Sequence, residues 1–360
     1  MAAGLAGLGS GPLITVFFVT SRCNSRCKHC FDWQRRGPLV ESRDLTLREI
    51  DAISRSLPRQ YFMIVTGGEP FLREDIVDVV LAFGKNTRPR VLAIPSNGGQ
   101  PEVILESVRR ILRELPPEVY LSVNVSVDGV GGLHDELRGV SGLFLRARET
   151  LQGLSQLARG VENLGVGVVT VVSKYNQDHL DEIMVYVLDE LRLSVWAPFL
   201  IRGHPRESQA ADVCMERYAA ISRTLEARIR SGSYPGYRGF LGARLNSAKN
   251  VVRRRLIQRT VAEGRRILPC SAGRLATAVY SDGSVFPCEL RQDSMGNLRD
   301  FGLDWKRLWE SPGAHESRRA VRHGDCFCTH ENFLNMNIAT SLACWPSLLW
   351  WTLFWGKGAR

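Results

Sequence analysis

The sequence predicts an α/β protein of parallel strands and crossover helices, followed by a smaller cysteine-bearing region. Three observations predict it: six alternations of short apolar runs with helical-period stretches in the front half, a change of pattern after residue 202, and two separate groups of cysteines. The 360 residues leave room for one α/β domain of about 200–250 residues and a smaller unit beside it.

Segments 13–20, 61–66, 91–96, 120–127, 165–173 and 194–201 read as strands, because Val, Ile and Phe dominate them. Between them, 46–56, 75–84, 102–115, 146–159 and 178–190 read as helices. Thr46 with Glu49 three residues on has the form of a capping box. The pattern does not choose between an open sheet and a barrel. Beyond residue 202, segments 214–230 and 243–264 read as helices, separated by a glycine- and tyrosine-rich stretch. Then 275–280 and 285–287 flank Ser281-Asp282-Gly283-Ser284, an Asp-Gly hairpin whose reversal needs positive φ. The resulting division is 1–202, 203–268, 269–331 and an uncharged, Trp-rich tail at 332–360 whose first charge is Lys357.

Composition narrows the class. A hydrophobic share of 44% with 23% charge excludes bulk disorder, and a mean hydropathy of -0.11 argues against a polytopic membrane protein. Nine clustered cysteines do not make a secreted disulfide scaffold. No basic n-region precedes the first apolar run, since the first charge is Arg22, so a cytoplasmic, reducing compartment is the expectation. The net charge of +10 is densest over 249–266, which fits either an anionic partner or a solvated helix face.

The sharpest signal is Cys23-Asn24-Ser25-Arg26-Cys27-Lys28-His29-Cys30, directly after the first strand. Three thiols in one short loop can converge on a metal centre, and soft thiolates select zinc or iron–sulfur clusters. A closed zinc site wants four ligands, for which His29 is the local candidate. Three cysteines on a four-iron cluster leave one iron open.

This Cys-x3-Cys-x2-Cys loop, with His29 in the aromatic place before its last cysteine, resembles the radical S-adenosylmethionine (SAM) superfamily. Further motifs carry the resemblance in order. Gly67-Gly68-Glu69-Pro70 follows the second strand, where the family binds the methionine amino group. Ser96-Asn97-Gly98 ends the third, where it places ribose and methionine contacts. Ser126-Val127-Asp128-Gly129 and His134-Asp135-Glu136-Leu137-Arg138-Gly139 match a stretch in which Ser126 and Arg138 would hold the SAM carboxylate. Thr170 to Ser173 and Asn176 match the region beside the adenine.

The resemblance implies a partial (β/α)6 TIM-like barrel with a small C-terminal α+β iron–sulfur domain. It implies that Cys23, Cys27 and Cys30 hold a 4Fe–4S cluster whose fourth iron chelates SAM. One electron, from a donor such as flavodoxin or ferredoxin, would then cleave SAM to a 5′-deoxyadenosyl radical that abstracts a substrate hydrogen.

Cys270, Cys288, Cys326 and Cys328 form the second group. Four thiolates fill one 4Fe–4S cluster or one tetrahedral zinc. The stretch from Tyr280 to Cys288 resembles the auxiliary-cluster modules called SPASM and twitch, and four cysteines imply one auxiliary cluster, with His330 or Glu331 as reserve ligands. Cys214 and Cys344 are expected to be buried or free thiols.

The tail, densely apolar only over 342–355, is expected to dock on the protein. Interfacial membrane contact, with Lys357 and Arg360 at the headgroups, and a true span are the alternatives. The functional expectation is a radical SAM oxidoreductase acting on a peptide or a small biosynthetic molecule. Only some twelve glycine- and alanine-rich residues precede the first strand, which counts against a built-in peptide-binding extension. The competing reading is a zinc-binding nucleic-acid or protein interaction module using the basic 249–266 stretch. It leaves Gly-Gly-Glu-Pro and the later motifs without a role.

Overall fold

A computed structural model describes residues 11–35, 43–324 and 326–355. Six strands come first: β1 (Ile14–Phe18), β2 (Phe62–Thr66), β3 (Val91–Ser96), β4 (Tyr120–Ser126), β5 (Leu164–Val172) and β6 (Val195–Leu200). Each pairs parallel with the next. The crossovers carry helices α1 (Leu47–Ser56), α2 (Ile76–Thr87), α3 (Pro101–Glu114), α4 (Gly132–Arg138), α5 (Leu143–Ala158) and α6 (Leu180–Val185). This is the partial barrel, and its strand faces follow the two-residue period of a strand. Phe17 and Val19 join the outer core against the helices, whereas Ile14, Val16 and Phe18 face inward with Ile64 and Ala93. The capping box forms as expected: the Glu49 amide donates to Thr46 Oγ1 and the Thr46 amide to Glu49 Oε2.

The second half begins with two long helices, α7 (Met215–Arg230) and α8 (Ala243–Glu263). Strands β7 (Ala276–Val279), β8 (Ser284–Phe286) and β9 (Gly296–Asn297) follow. The expected hairpin is β7–β8, with Gly283 at φ 88° in its turn. What the sequence pattern did not reveal is where it goes: β7 pairs parallel with β1, Ile14 opposite Ala276. The sheet order is therefore β6-β5-β4-β3-β2-β1-β7-β8-β9, and the C-terminal region continues the barrel wall.

Four further helices close the chain: α9 (Trp305–Trp309), α10 (Pro312–His323), α11 (Glu331–Thr340) and α12 (Trp345–Leu353). The tail docks on the protein, as expected, through contacts of α11 and α12 with α8. Phe333, Ile338, Leu348 and Trp351 are buried there, while Trp345, Leu349 and Trp350 stay exposed. Among the described residues no helix is long and apolar enough to cross a membrane. Lys357 and Arg360 lie outside the described residues.

Candidate functional site

The cysteine loop leaves the C-terminal end of β1 and is stitched to two neighbours. Arg26 and Lys28 amides donate to the carbonyls of Arg138 and Leu137 at the end of α4. Gly68 and Glu69 amides donate to Thr20 and Arg22 carbonyls. A Cβ on Gly68 would stand 1.9 Å from the Arg22 carbonyl oxygen, so the Gly-Gly pair is needed first by the cysteine loop itself. The sequence alone suggested a role in approaching a ligand; the structure adds this packing role.

Glu69 lies buried at the exit of β2. Its Oε1 accepts from the Ser96 hydroxyl (2.9 Å) and the Phe71 amide (3.3 Å), and Oε2 from the Asn97 amide (2.7 Å). Burial pushes its pKa up, against these hydrogen bonds. A carboxylate offers roughly four acceptor positions, so three are filled and one remains on Oε2. Asn97 also reaches the cysteine loop, donating to Asn24 Oδ1 at 2.6 Å.

Asp128, which follows β4, is the hub that sequence reasoning passed over although it stood inside a quoted motif. Its carboxylate receives Arg138 Nε at 2.6 Å and the Val171 amide at 2.8 Å, with His29 Nε2 at 3.3 Å. Burial works against its charge, but the Arg138 guanidinium prevails and holds the carboxyl below its usual range. Arg138 is itself buried, and its second edge reaches Cys27 Sγ at 3.6 Å. Burial pushes the Cys27 thiol up to about 11, against the pull of Arg138, with Cys30 and Cys23 close enough to add to the shift. Burial also takes His29 and His134 down to about 4, so both are neutral near pH 7. Asn176 closes the site from the far side of β5, donating to the Asp128 and Val171 carbonyls at 2.9 Å.

Cys27, Cys30, Ser126 and Arg138 open onto a half-open cavity of about 290 Å³ lined by the inner barrel face and α8. Gly67, Gly68, Glu69, Pro70, Ser96 and Asn97 do not themselves line it. The α8 wall corrects a sequence expectation. Part of the basic 249–266 stretch is no solvated face, because Arg253 and Arg254 are 3% and 4% exposed. Asn246, Lys249, Asn250 and Arg253 recur at helical spacing and line the cavity, a periodicity present in the sequence and hidden by its charge.

The second thiol group comes together from three segments: Cys270 before β7, Cys288 after β8, and Cys326 with Cys328 between α10 and α11. The charges of Cys270 and Cys328 act on Cys288, and that of Cys326 on Cys270 and Cys328, so the four are neighbours. Burial pushes Cys288 up to about 12 and Cys328 to about 11. Arg266 fastens the loop, donating to the carbonyls of Cys326 (3.1 Å), Val321 (3.1 Å) and Gly324 (2.5 Å). His330 and Glu331 are committed elsewhere. His330 pairs with Glu289, and Glu331 accepts the Leu200 amide at 2.9 Å and lies 3.5 Å from Arg202, which also binds Glu289 at 3.0 Å. Among the described residues, no three or more His, Cys, Asp or Glu side chains are poised to hold a single metal ion. Cys344 is buried and Cys214 exposed, neither in a disulfide.

Residues 17–187 match the family described as the Radical SAM superfamily. Pre-heme d1 synthase of Dinoroseobacter shibae is 29% identical over 234 residues, 61% of this chain and 52% of the relative, so the chain spans about half of that protein. AdoMet-dependent heme synthase of Oleidesulfovibrio alaskensis is 24% identical over 342 residues, 88% of this chain and 79% of the relative. Among solved structures, native anSMEcpe with bound AdoMet superposes with a TM-score of 0.59 at 16% identity, covering 86% of this chain and 84% of that one. Streptococcus suis SuiB bound to precursor peptide SuiA gives 0.60 at 16%, covering 88% and 69%. At such identities the likeness speaks for the fold alone.

Proposed function

From the premise that residues 17–187 are a radical SAM domain, and the chain an enzyme of that superfamily, we propose that it cleaves SAM reductively and abstracts hydrogen from a small biosynthetic molecule in the central cavity. The observation that carries this is one of placement. A three-thiol loop, a buried arginine and a serine meet at the C-terminal ends of parallel strands, where α/β folds bind ligands, and two of the thiols, the arginine and the serine line one half-open cavity.

The residues fit the implied group. Cys23, Cys27 and Cys30 supply three soft donors, and Arg138 beside Cys27 offsets thiolate charge. A 4Fe–4S cluster bound with SAM supplies one-electron cleavage of the sulfonium and, through it, hydrogen-atom abstraction. The chain's own residues position. Glu69 keeps one acceptor for the SAM ammonium, and Ser96 and Asn97 fix its carboxylate. Gly67, Gly68 and Pro70 shape the loop that carries it. Ser126 and the remaining terminal nitrogen of Arg138 would face the SAM carboxylate, while Asp128 holds Arg138 in place. A low-potential donor such as flavodoxin or ferredoxin would deliver the electron.

Cys270, Cys288, Cys326 and Cys328 would hold one auxiliary 4Fe–4S cluster, fully ligated and suited to electron relay or support. The heme synthase names of both relatives favour a small molecule over a peptide. The test is anaerobic reconstitution with iron and sulfide, reduction with dithionite, addition of SAM, and quantification of 5′-deoxyadenosine and methionine. Both should form. Iron-loaded, reduced protein that binds SAM and yields neither would refute the reading.

A further inference from the structure

The α8 wall of the cavity carries two cationic side chains that form no ion pair among the described residues. Lys249 and Arg253 sit one turn apart on the cavity face of α8. Lys249 Nζ donates to the neutral Asn246 Oδ1, and Arg253 donates through one terminal nitrogen to the neutral Asn335 Oδ1 at 3.1 Å. Arg253 is 3% exposed, its Nε has no partner, and its guanidinium lies over the Phe199 ring, 4.9 Å from the centroid. Among the described residues neither forms an ion pair. Of the nearby carboxylates, Glu289 is held by Arg202 and His330, while Glu331 takes the Leu200 amide, lies 3.5 Å from Arg202 and feels the Arg253 charge without forming an ion pair with it. Burial first, and then the neighbouring Arg253 charge, bring Lys249 down to about 7.

An unpaired buried guanidinium is costly, and burial together with its charge leaves the lysine beside it only partly protonated near pH 7, a proton that an entering anion would restore. A protein that keeps such a pair facing a cavity gains from it when an anion enters. The surrounding wall is aromatic and amide-rich, with Tyr120, Phe199, Tyr237 and Phe240 beside Asn250 and Asn335. That lining suits a flat apolar body bearing a charged group at one end.

We propose that Lys249 and Arg253 form an anion-recognition subsite that holds an oxyanion of the substrate, a carboxylate or a phosphate, and thereby directs the rest of the molecule toward Cys27 and Cys30. The proposal rests on the cavity being the substrate site and deepens that reading by naming the substrate's charge. Arg253 offers a planar fork suited to bidentate oxyanion bonding and Lys249 a point charge.

The experiment uses three probes with one ring system: naphthoate, naphthyl phosphate and naphthalenemethanol, titrated into the reconstituted protein by calorimetry. At least one anion should bind roughly tenfold or more tighter than the neutral alcohol, as loss of one charge-assisted contact implies. The tighter of the two anions identifies the oxyanion as carboxylate or phosphate. Lys249→Met and Arg253→Gln should each reduce that advantage and leave the alcohol's affinity within about twofold. Lys249 is the less buried of the two, so Lys249→Met remains informative if Arg253→Gln does not fold. Equal binding of all three probes to the wild type, or an anion advantage that survives in Lys249→Met, would overturn the subsite. Wild type that cleaves SAM yet shows no anion preference loses only the subsite; wild type that does not cleave SAM loses the proposed function instead.

Discussion

Each thiol group sits beside a buried cluster of arginine, carboxylate and histidine, and the two clusters are used differently. At the first, Asp128 holds Arg138 and His29, and Arg138 turns its second edge to Cys27 and the cavity. At the second, Glu289 holds Arg202 and His330, and Arg202 continues to Glu331, whose other oxygen takes the Leu200 amide of β6. The first arginine thus serves the thiols, while the second ties the C-terminal region to the barrel. Thiol count follows the same division. On the proposed reading, three cysteines, two of them lining the cavity, would leave a position open for chemistry, whereas four, three of them lining a crevice of about 30 Å³, would leave none.

The largest expected effect breaks the first site outright. Replacing Cys23, Cys27 and Cys30 together with Ala should abolish formation of 5′-deoxyadenosine and lower the iron content from about eight to about four per chain. A folded triple variant that still cleaves SAM reductively would remove the loop from the chemistry. The second site should behave otherwise. Cys328→Ala is expected to lose substrate turnover while retaining abortive SAM cleavage, because the residues proposed to generate the radical belong to the other group. Parallel loss of both activities, in protein whose first cluster is spectroscopically intact, would merge the two sites into one function. Metal analysis giving about four irons and one zinc in the wild type would make the second site structural.

How much of this was legible depended on whether the signal was local. The cysteine loop spans eight residues and Gly-Gly-Glu-Pro four, so both could be read directly. Strands β1 to β6 were legible because apolar runs buried on both faces stand out from amphipathic helices. The pairing of β7 with β1 was not, since no local pattern encodes which strand a strand meets. Helices α9 and α10 were also missed. The capping serine, Ser311, with Pro312 behind it, was an available start signal for α10, but most of that helix is charged and polar. Arg138 without its family context read as a surface residue; its burial depends on Asp128, ten residues away in sequence and adjacent only once the strand–helix turn has formed. The same distance hid the Lys249–Arg253 face, since a basic run reads as solvated until the fold places a cavity beside it.

The ion clusters themselves sharpen the comparison at intermediate magnitude. Asp128→Asn leaves Arg138 buried without its counter-charge, and Arg202→Met does the same to Glu289 and Glu331. Removing one member of a buried pair typically costs about 3–5 kcal/mol, so both variants should melt well below the wild type. Only Asp128→Asn should also weaken SAM binding, because only Arg138 faces the first thiol group. Equal SAM affinities in the two variants, measured by calorimetry on reconstituted protein, would show that both clusters are merely structural.

The smallest expected effect lies where the two halves meet on the surface. Glu49 caps α1 through Thr46 and also takes Arg299, with Nε at 2.7 Å from Oε1 and the second nitrogen at 3.0 Å from Oε2. Arg299 follows β9, so this pair joins the first crossover helix to the C-terminal region. The Arg299 hydrogen bond above all, helped by Thr46, holds the Glu49 carboxyl at about 2, below its ordinary 4.5. A carboxyl whose pKa is depressed by folding contributes its full stability above the unfolded value and loses it as pH falls through the folded one. Glu49→Gln should therefore cost about 0.5–1 kcal/mol near neutrality, discounted for the partial exposure of both partners. The gap between wild type and variant should shrink as pH falls from about 5 toward 2. Thermal melts of the two proteins across that range provide the measurement. A gap that stays constant with pH would assign the effect to the cap geometry alone and leave the ion pair without a part in holding the halves together.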